Sequence, residues 1–251
     1  MRKLAVFFLM FSLSASAWAA TRSIKVAPDV DVPVSVYGAS RQRLILWLPS
    51  EHGVIGAEHA LAAQLARRGY TVWVADLFAA RFLPVTPSSL NEIPAADVAQ
   101  LLQAAALEHK NIYLVSSGQG AARALEGAQL CQQTKPSRAL AGAVLLFPNL
   151  FAASPEAGEA PRYLPIAGQT QLSIAVLQGE LSPWFWQLDD LQAQLEHGGS
   201  RVAIQTLPDI RDRFYFREDA NPRERDAARR LAAAIHRSIQ RLPKMQPRKK
   251  P

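Results

Sequence analysis

The sequence predicts an α/β protein, a three-layer sandwich whose mostly parallel central sheet carries helices on both faces. Three observations lead there. Apolar runs of strand length alternate with segments of helical periodicity from one end to the other. The runs are continuously apolar, as in strands covered on both faces, where a half-solvated sheet would alternate. Each intervening helix is long enough to be a crossover, so strands on either side of it run parallel.

Residues Ser23 to Val36 alternate loosely around Pro28 and Pro33, which predicts an opening hairpin or edge strands. Arg43 to Leu48 is the first buried strand. A helix follows over Ala57 to Arg68, with Leu61, Ala62, Leu65 and Ala66 on one face and Gly69 as its C-terminal cap. Tyr70 to Ala75 is the next strand, closed by Asp76. Leu83 to Asn91 is Pro/Ser-rich and reads as a loop. A helix from near Pro94 then turns Val98, Leu101, Leu102 and Ala105 inward. Ile112 to Val115 is a strand, an abrupt small-residue turn follows, and a helix opens at Gln119 and runs toward Leu130. Strands at Ala143 to Phe147, Ser173 to Gln178 and Val202 to Leu207 complete the sheet. A helix marked by Leu188, Leu191 and Leu195, ended by Gly198-Gly199, lies between the last two. The final helix starts with Asn221 as N-cap, Pro222 at the first position and Glu224 closing a capping box, and buries Ala228, Leu231, Ala232, Ile235, Ile239 and Leu242.

The ends differ from this body. Arg2 and Lys3, the apolar run Leu4 to Leu13 and the small-x-small pattern Ala17-Trp18-Ala19 describe a secretory signal peptide over residues 1–19, with a mature start near Ala20 and a periplasmic or secreted destination. The 251 residues, 49% of them hydrophobic, then suffice for one domain over 20–242, with an irregular lid-like loop over 148–172. Residues 243–251 form a basic, Pro-rich tail expected to be disordered. The formal charge of +7 is carried by the ends: Arg2 and Lys3, then Arg241, Lys244, Arg248, Lys249 and Lys250. The folded part is close to neutral, which argues against nucleic acid as a partner and leaves weak contact of the tail with anionic membranes as an expectation. Cys131 is the sole cysteine, so the fold rests on its core without an internal disulfide.

The stretch Asn111-Ile-Tyr-Leu-Val-Ser-Ser-Gly-Gln-Gly-Ala-Ala resembles the nucleophile elbow of the α/β-hydrolases, G-x-S-x-G on a strained strand-to-helix turn. His52-Gly53 after the first buried strand is similar to the family's oxyanion loop, and Ala75-Asp76-Leu77-Phe78 to its dienelactone-hydrolase and esterase branch. Gly179 after the Ser173 strand is a further landmark. The resemblance covers most of the chain beyond Ala20 and implies acyl-transfer chemistry by a serine, an acid and a histidine. The positions it points to are changed. Ser116 and Gly120 take the small flanking places, and Gly118 holds the nucleophile's seat. Ser182 stands where the acid is expected, with Glu180 a candidate two positions early. The segment Leu207-Pro-Asp-Ile-Arg-Asp-Arg-Phe214 has no histidine.

Three functions follow as expectations. The first is an exported protein of this fold without the triad, a non-catalytic ligand-binding or accessory factor. The second is an esterase or thioesterase with displaced residues, Ser117 as nucleophile and His52 as base. The third is an envelope structural partner held by the basic tail. For the first, N–H groups at Gln119 and Gly120, with a helix dipole behind them, favour an anion above Gly118. Arg211 and Arg213 offer guanidinium forks to a carboxylate, phosphate or acyl ligand, or else pair with Asp212. Trp184 and Trp186, in Pro183-Trp-Phe-Trp186, line a pocket or pack beneath the 148–172 loop. His59, His109 and His197 are expected to be solvated. Gly118-Gln119-Gly120 is followed by Arg123 where a dinucleotide fingerprint needs a third glycine. No P-loop, His-Glu-x-x-His or Cys/His cluster occurs, so no cofactor or metal is expected.

Overall fold

The computed structural model describes residues 20–135, 137–153 and 159–244. The segment read as a signal peptide, most of the basic tail and the centre of the 148–172 loop lie outside them. The eight strands are β1 (Ala20–Ala27), β2 (Val30–Tyr37), β3 (Arg43–Trp47), β4 (Thr71–Ala75), β5 (Asn111–Ser117), β6 (Leu140–Leu146), β7 (Ser173–Gly179) and β8 (Arg201–Leu207). They form one sheet in the order β1-β2-β4-β3-β5-β6-β7-β8. β1 and β2 form an antiparallel hairpin laid antiparallel on β4, and every pairing from β4 to β8 is parallel. The hairpin lies at one side of the sheet with β1 as its edge; Pro28 falls in the turn, and Pro33 in β2 just beyond the Val34–Ala75 end of the pairing with β4.

Helices cover both faces. On one, α1 (Gly56–Ala66) and α7 (Pro222–Gln240) seat Leu61, Leu65, Leu231 and Ile235 against Ile45, Val72, Val115 and Val144. On the other, α4 (Ala95–Glu108), α5 (Gly120–Thr134) and α6 (Leu188–His197) seat Val98, Leu101, Leu125 and Leu191 against Leu46, Leu114, Leu145 and Val176. Successive residues of β5 feed opposite cores, so Leu114 and Val115 part company, and Ser116 and Ser117 after them.

Two expectations need correction. The Leu83 to Asn91 segment holds a short helix, α3 (Pro87–Glu92), whose Thr86 N-cap oxygen accepts from Ser89 N–H with proline at the first position. Before it, α2 (Leu77–Ala80) is capped by Asp76, which accepts from Ala79 N–H at 2.9 Å. Composition hid both. His109 is buried, edge-on to the Trp73 ring at 5.5 Å, and the cost of burying charge holds its imidazole below its ordinary pKa.

Candidate functional site

The site lies where β3, β5, β7 and β8 deliver their C-terminal loops to one end of the sheet, the place where open parallel sheets take ligands. At its centre β5 turns into α5. Gly118 sits at the apex with φ +55°, a left-handed backbone in which L-residues with a side chain are strained. Its N–H donates to Leu146 O at 3.1 Å, and its carbonyl accepts from Asn149 N–H at 2.9 Å. Gly120 is buried on the Pro49 carbonyl, with no room for a Cβ, and is not in the cavity wall; this contact brings the Pro49–Gly53 loop down onto the elbow.

That loop folds back on itself. Gly53, φ +69°, donates its N–H to Ser50 O at 3.0 Å, and His52 N–H donates to Ser50 Oγ at 3.2 Å. The turn aims Glu51 at the apex. A Cβ built on Gly118 would meet Glu51 Oε2 at 2.5 Å and Oε1 at 2.8 Å, and Gln119 N–H donates to Oε2 at 2.9 Å. The carboxylate therefore occupies the seat that a nucleophile's side chain would fill and satisfies the first donor of α5. Gln119 N–H is not free, as the sequence reading assumed. The signal was present: a helix start with only hydrogen at its apex leaves an anion-seeking gap, and an acid stands beside His52-Gly53.

His52 Nε2 lies 3.6 Å from Glu51 Oε1 and 3.3 Å from Arg213 Nη1, with its ring edge-on to Phe216 at 5.5 Å. Ser117 Oγ accepts from the Tyr215 hydroxyl at 3.2 Å. Ser117 and His52 line the same cavity of about 460 Å³, but among the described residues no hydrogen bond joins them. Behind Tyr215 lies an acid the sequence reading passed over. Glu58 is fully buried on the stripe Glu58, Leu61, Ala62, Leu65 of α1, and that helical spacing was the available clue. Desolvation pushes its carboxyl up to about 7, partly offset by Ile55 N–H, the Trp47 indole and the Tyr215 hydroxyl. Burial likewise raises the Tyr215 phenol, with Glu58 adding to it.

On the other side of the cavity Ser182, the residue found where the resemblance leads one to expect an acid, donates to Asp212 Oδ2 at 3.0 Å, and Gln178 Nε2 donates to Oδ1 at 3.2 Å. Burial raises the Asp212 carboxyl, and Ser182 is the first of the contacts opposing that rise. Glu180 is not in the cavity wall.

Arg211 lines the cavity, but its guanidinium fork is taken by acids of its own chain. Its Nε and Nη2 donate to Glu224 at 2.7 Å each, and Nη1 and Nη2 reach the Asp219 carboxylate and carbonyl at 2.9 and 3.0 Å. Arg211 holds the buried Glu224 carboxyl down at about 2. It ties the loop after β8 to the capping box of α7 and pairs with neither Asp212 nor Arg213. Arg217 forks onto Asp219 at 2.8 and 3.0 Å. Arg213 is exposed with φ +58°, and among the described residues no carboxylate forms an ion pair with it. Of the two tryptophans, Trp184 lines the cavity 5.0 Å from Phe151, whereas Trp186 is 84% exposed against Phe185 and outside it. Gln119 lines an adjoining chamber of about 240 Å³ with Asn91, Asn149 and Trp184. Among the described residues no group of His, Cys, Asp and Glu is arranged to hold a metal ion.

Solved structures match the fold over nearly the whole chain. A carboxyl esterase from the fungus Tuber melanosporum is 16% identical with a TM-score of 0.67, over 94% of this chain and 90% of its own. A dienelactone hydrolase-like promiscuous phosphotriesterase from metagenomic libraries is 17% identical with a TM-score of 0.62, over 89% and 98%. Esterase LipW of Mycobacterium marinum is 19% identical with a TM-score of 0.62, over 90% and 82%. The chain has the α/β-hydrolase fold. No family model and no curated protein matches its sequence. Fold alone does not carry activity across such distances, so function rests on the site.

Proposed function

We propose that this is an exported protein of the α/β-hydrolase fold that binds a small anionic or acyl ligand without hydrolysing it, acting as an accessory factor in the periplasm. One observation carries the reading: the nucleophile's seat is Gly118, and the space above it is filled by the Glu51 carboxylate. Acyl transfer needs an attacking atom, a base that takes its proton and donors aimed at the developing oxyanion. Here the N–H after the apex is occupied by an internal anion, and the acid's and histidine's places hold a Ser182–Asp212 pair. What remains is a cavity walled by Trp184, Tyr215 and Phe216, with Arg213 as a cation for an anionic ligand. Export is supported by the signal-like pattern of Arg2 and Lys3, the apolar run Leu4 to Leu13 and Ala17-Trp18-Ala19.

Purified protein is expected to turn over no activated short-chain ester and to take no label from a serine-reactive fluorophosphonate, while small carboxylates quench Trp184 emission against a Trp184→Phe control. The Tyr215–Ser117 hydrogen bond favours a second reading, an esterase using Ser117. Ester hydrolysis abolished by Ser117→Ala would establish that reading and end the first.

A further inference from the structure

We infer that the ligand is a small zwitterion, an α-amino acid, held with its ammonium on Glu51 and its carboxylate on Arg213. This rests on the ligand-binding reading above and narrows its ligand class.

The floor of the cavity is anionic. Because Glu51 already takes the Gln119 N–H, a second carboxylate approaching α5 meets like charge where the bare elbow would have attracted it. What Glu51 can accept is a donor. Among the described residues no Lys or Arg pairs with it, and His52 at 3.6 Å is its basic neighbour. Its side chain keeps 16% exposure, so its free lone pairs open to the cavity. Asp212, the other acid in the wall, has both oxygens engaged by Ser182 and Gln178.

The opposite charge lies a short step away. Arg211 and Arg217 are neutralised by Glu224 and Asp219, which leaves Arg213, among the described residues, as the guanidinium of the cavity wall that no carboxylate meets in an ion pair; Asp212, whose oxygens Ser182 and Gln178 hold, acts on it only through space. Its left-handed backbone is the strained conformation often retained where a side chain must be aimed. His52 Nε2 is 3.3 Å from Arg213 Nη1 and 3.6 Å from Glu51 Oε1, so the two charges are no more than about 7 Å apart. In an α-amino acid the nitrogen and the carboxylate oxygens are ~3 Å apart. Two hydrogen bonds of about 2.8 Å, bent at the ligand, span that gap. Tyr215, Phe216 and Trp184 add aromatic faces suited to an ammonium.

Calorimetric titration with three sets of probes tests this: neutral L-α-amino acids, the matching carboxylic acids without the amino group, and the matching amines without the carboxylate. At least one amino acid is expected to bind tenfold or more tightly than both of its counterparts. Glu51→Gln, which keeps an oxygen for Gln119 N–H, should abolish the preference for amino acid over acid. Arg213→Gln should weaken both. Circular dichroism checks that each variant is folded; if Glu51→Gln is not, the preference of the unaltered protein decides. A carboxylic acid that binds as well as its amino acid overturns the zwitterion and leaves ligand binding standing. Binding by none of the three sets, together with Trp184 emission indifferent to all, overturns both.

Discussion

Placing a hydroxyl at the Gly118 apex should destabilise this protein and give it no hydrolytic activity. In Gly118→Ser the new side chain enters a left-handed backbone at φ +55°, which costs about 1–2 kcal/mol for an L-residue. Its Cβ would stand 2.5 Å from Glu51 Oε2, 2.8 Å from Oε1 and 3.0 Å from Cδ. These atoms end a flexible side chain, so the carboxylate swings aside and the backbone holds. The cost is then the lost bond to Gln119 N–H, about 1 kcal/mol, as for other helix caps. The sum is about 2–3 kcal/mol, or a fall in Tm of roughly 5–10 °C for a chain of this size. The variant is expected to hydrolyse no activated ester through its new serine, because His52 is bonded to Arg213 and Ser182 to Asp212.

A double-mutant cycle separates the two costs. In a Glu51→Ala background the carboxylate is already gone, so Gly118→Ser should cost only the backbone part. The two changes should therefore be non-additive by about 1 kcal/mol. Urea unfolding of the four proteins measures this. Strict additivity, or a Gly118→Ser variant as stable as its parent, would show that Glu51 does not hold the apex.

Two other variants probe the acids around the site. Glu58 is raised from 4.5 to about 7. Between those values the folded state keeps a proton that the unfolded state has released, so stability falls as pH rises through that window and levels off above it, by about 3 kcal/mol. Glu58→Gln should flatten that part of the curve, and unfolding at pH 5 and pH 8 checks it; parallel curves refute it. Glu224, lowered to about 2, acts in the other direction, stabilising above 4.5 and losing that contribution as pH falls toward 2. Arg211→Met leaves the buried carboxylate without its guanidinium and should cost about 2–4 kcal/mol at pH 7. The deficit should shrink on acidification, and denaturant midpoints at pH 7 and pH 3 report it.

The fold was legible because burial on both faces writes itself into composition. Leu44 to Leu48, Val72 to Ala75 and Ala143 to Leu146 are apolar at every position, and each is buried at every position. The start of the final helix was legible to the residue, since Asn221, Pro222 and Glu224 state it chemically, whereas its buried stripe was read on to Leu242, two residues past the end of the helix at Gln240. The short helices at Leu77–Ala80 and Pro87–Glu92 were not, because they are too short for periodicity and lie in Pro/Ser-rich sequence. In the site, the vacancy at Gly118 could be read from one strand and one turn. Its occupant could not, because Glu51 reaches it across 67 residues of chain through a loop geometry fixed by Gly53 and by Gly120 against Pro49. Arg211 misled for a related reason: a guanidinium beside an aspartate suggests a fork for ligands, while its true partners lie 8 and 13 residues on.

Glu51 and Glu58 show why these two acids tolerate such different burial. Glu51 faces the start of a 15-residue helix, keeps part of its side chain exposed and accepts a backbone N–H from Gln119. Glu58 is fully buried, with Ile55 N–H at 3.4 Å and, among the described residues, no ion pair, so desolvation outweighs its polar contacts and its surroundings favour the proton. Tyr215 stands between them, drawn toward Ser117 by a hydrogen bond and toward Glu58 by proximity. While Glu58 is protonated it can donate to the phenol, and the phenol is free to donate to Ser117. Once Glu58 ionises, it competes for that same phenolic proton. The wall of the cavity beside Gly118 is therefore set in part by an acid that never touches the cavity.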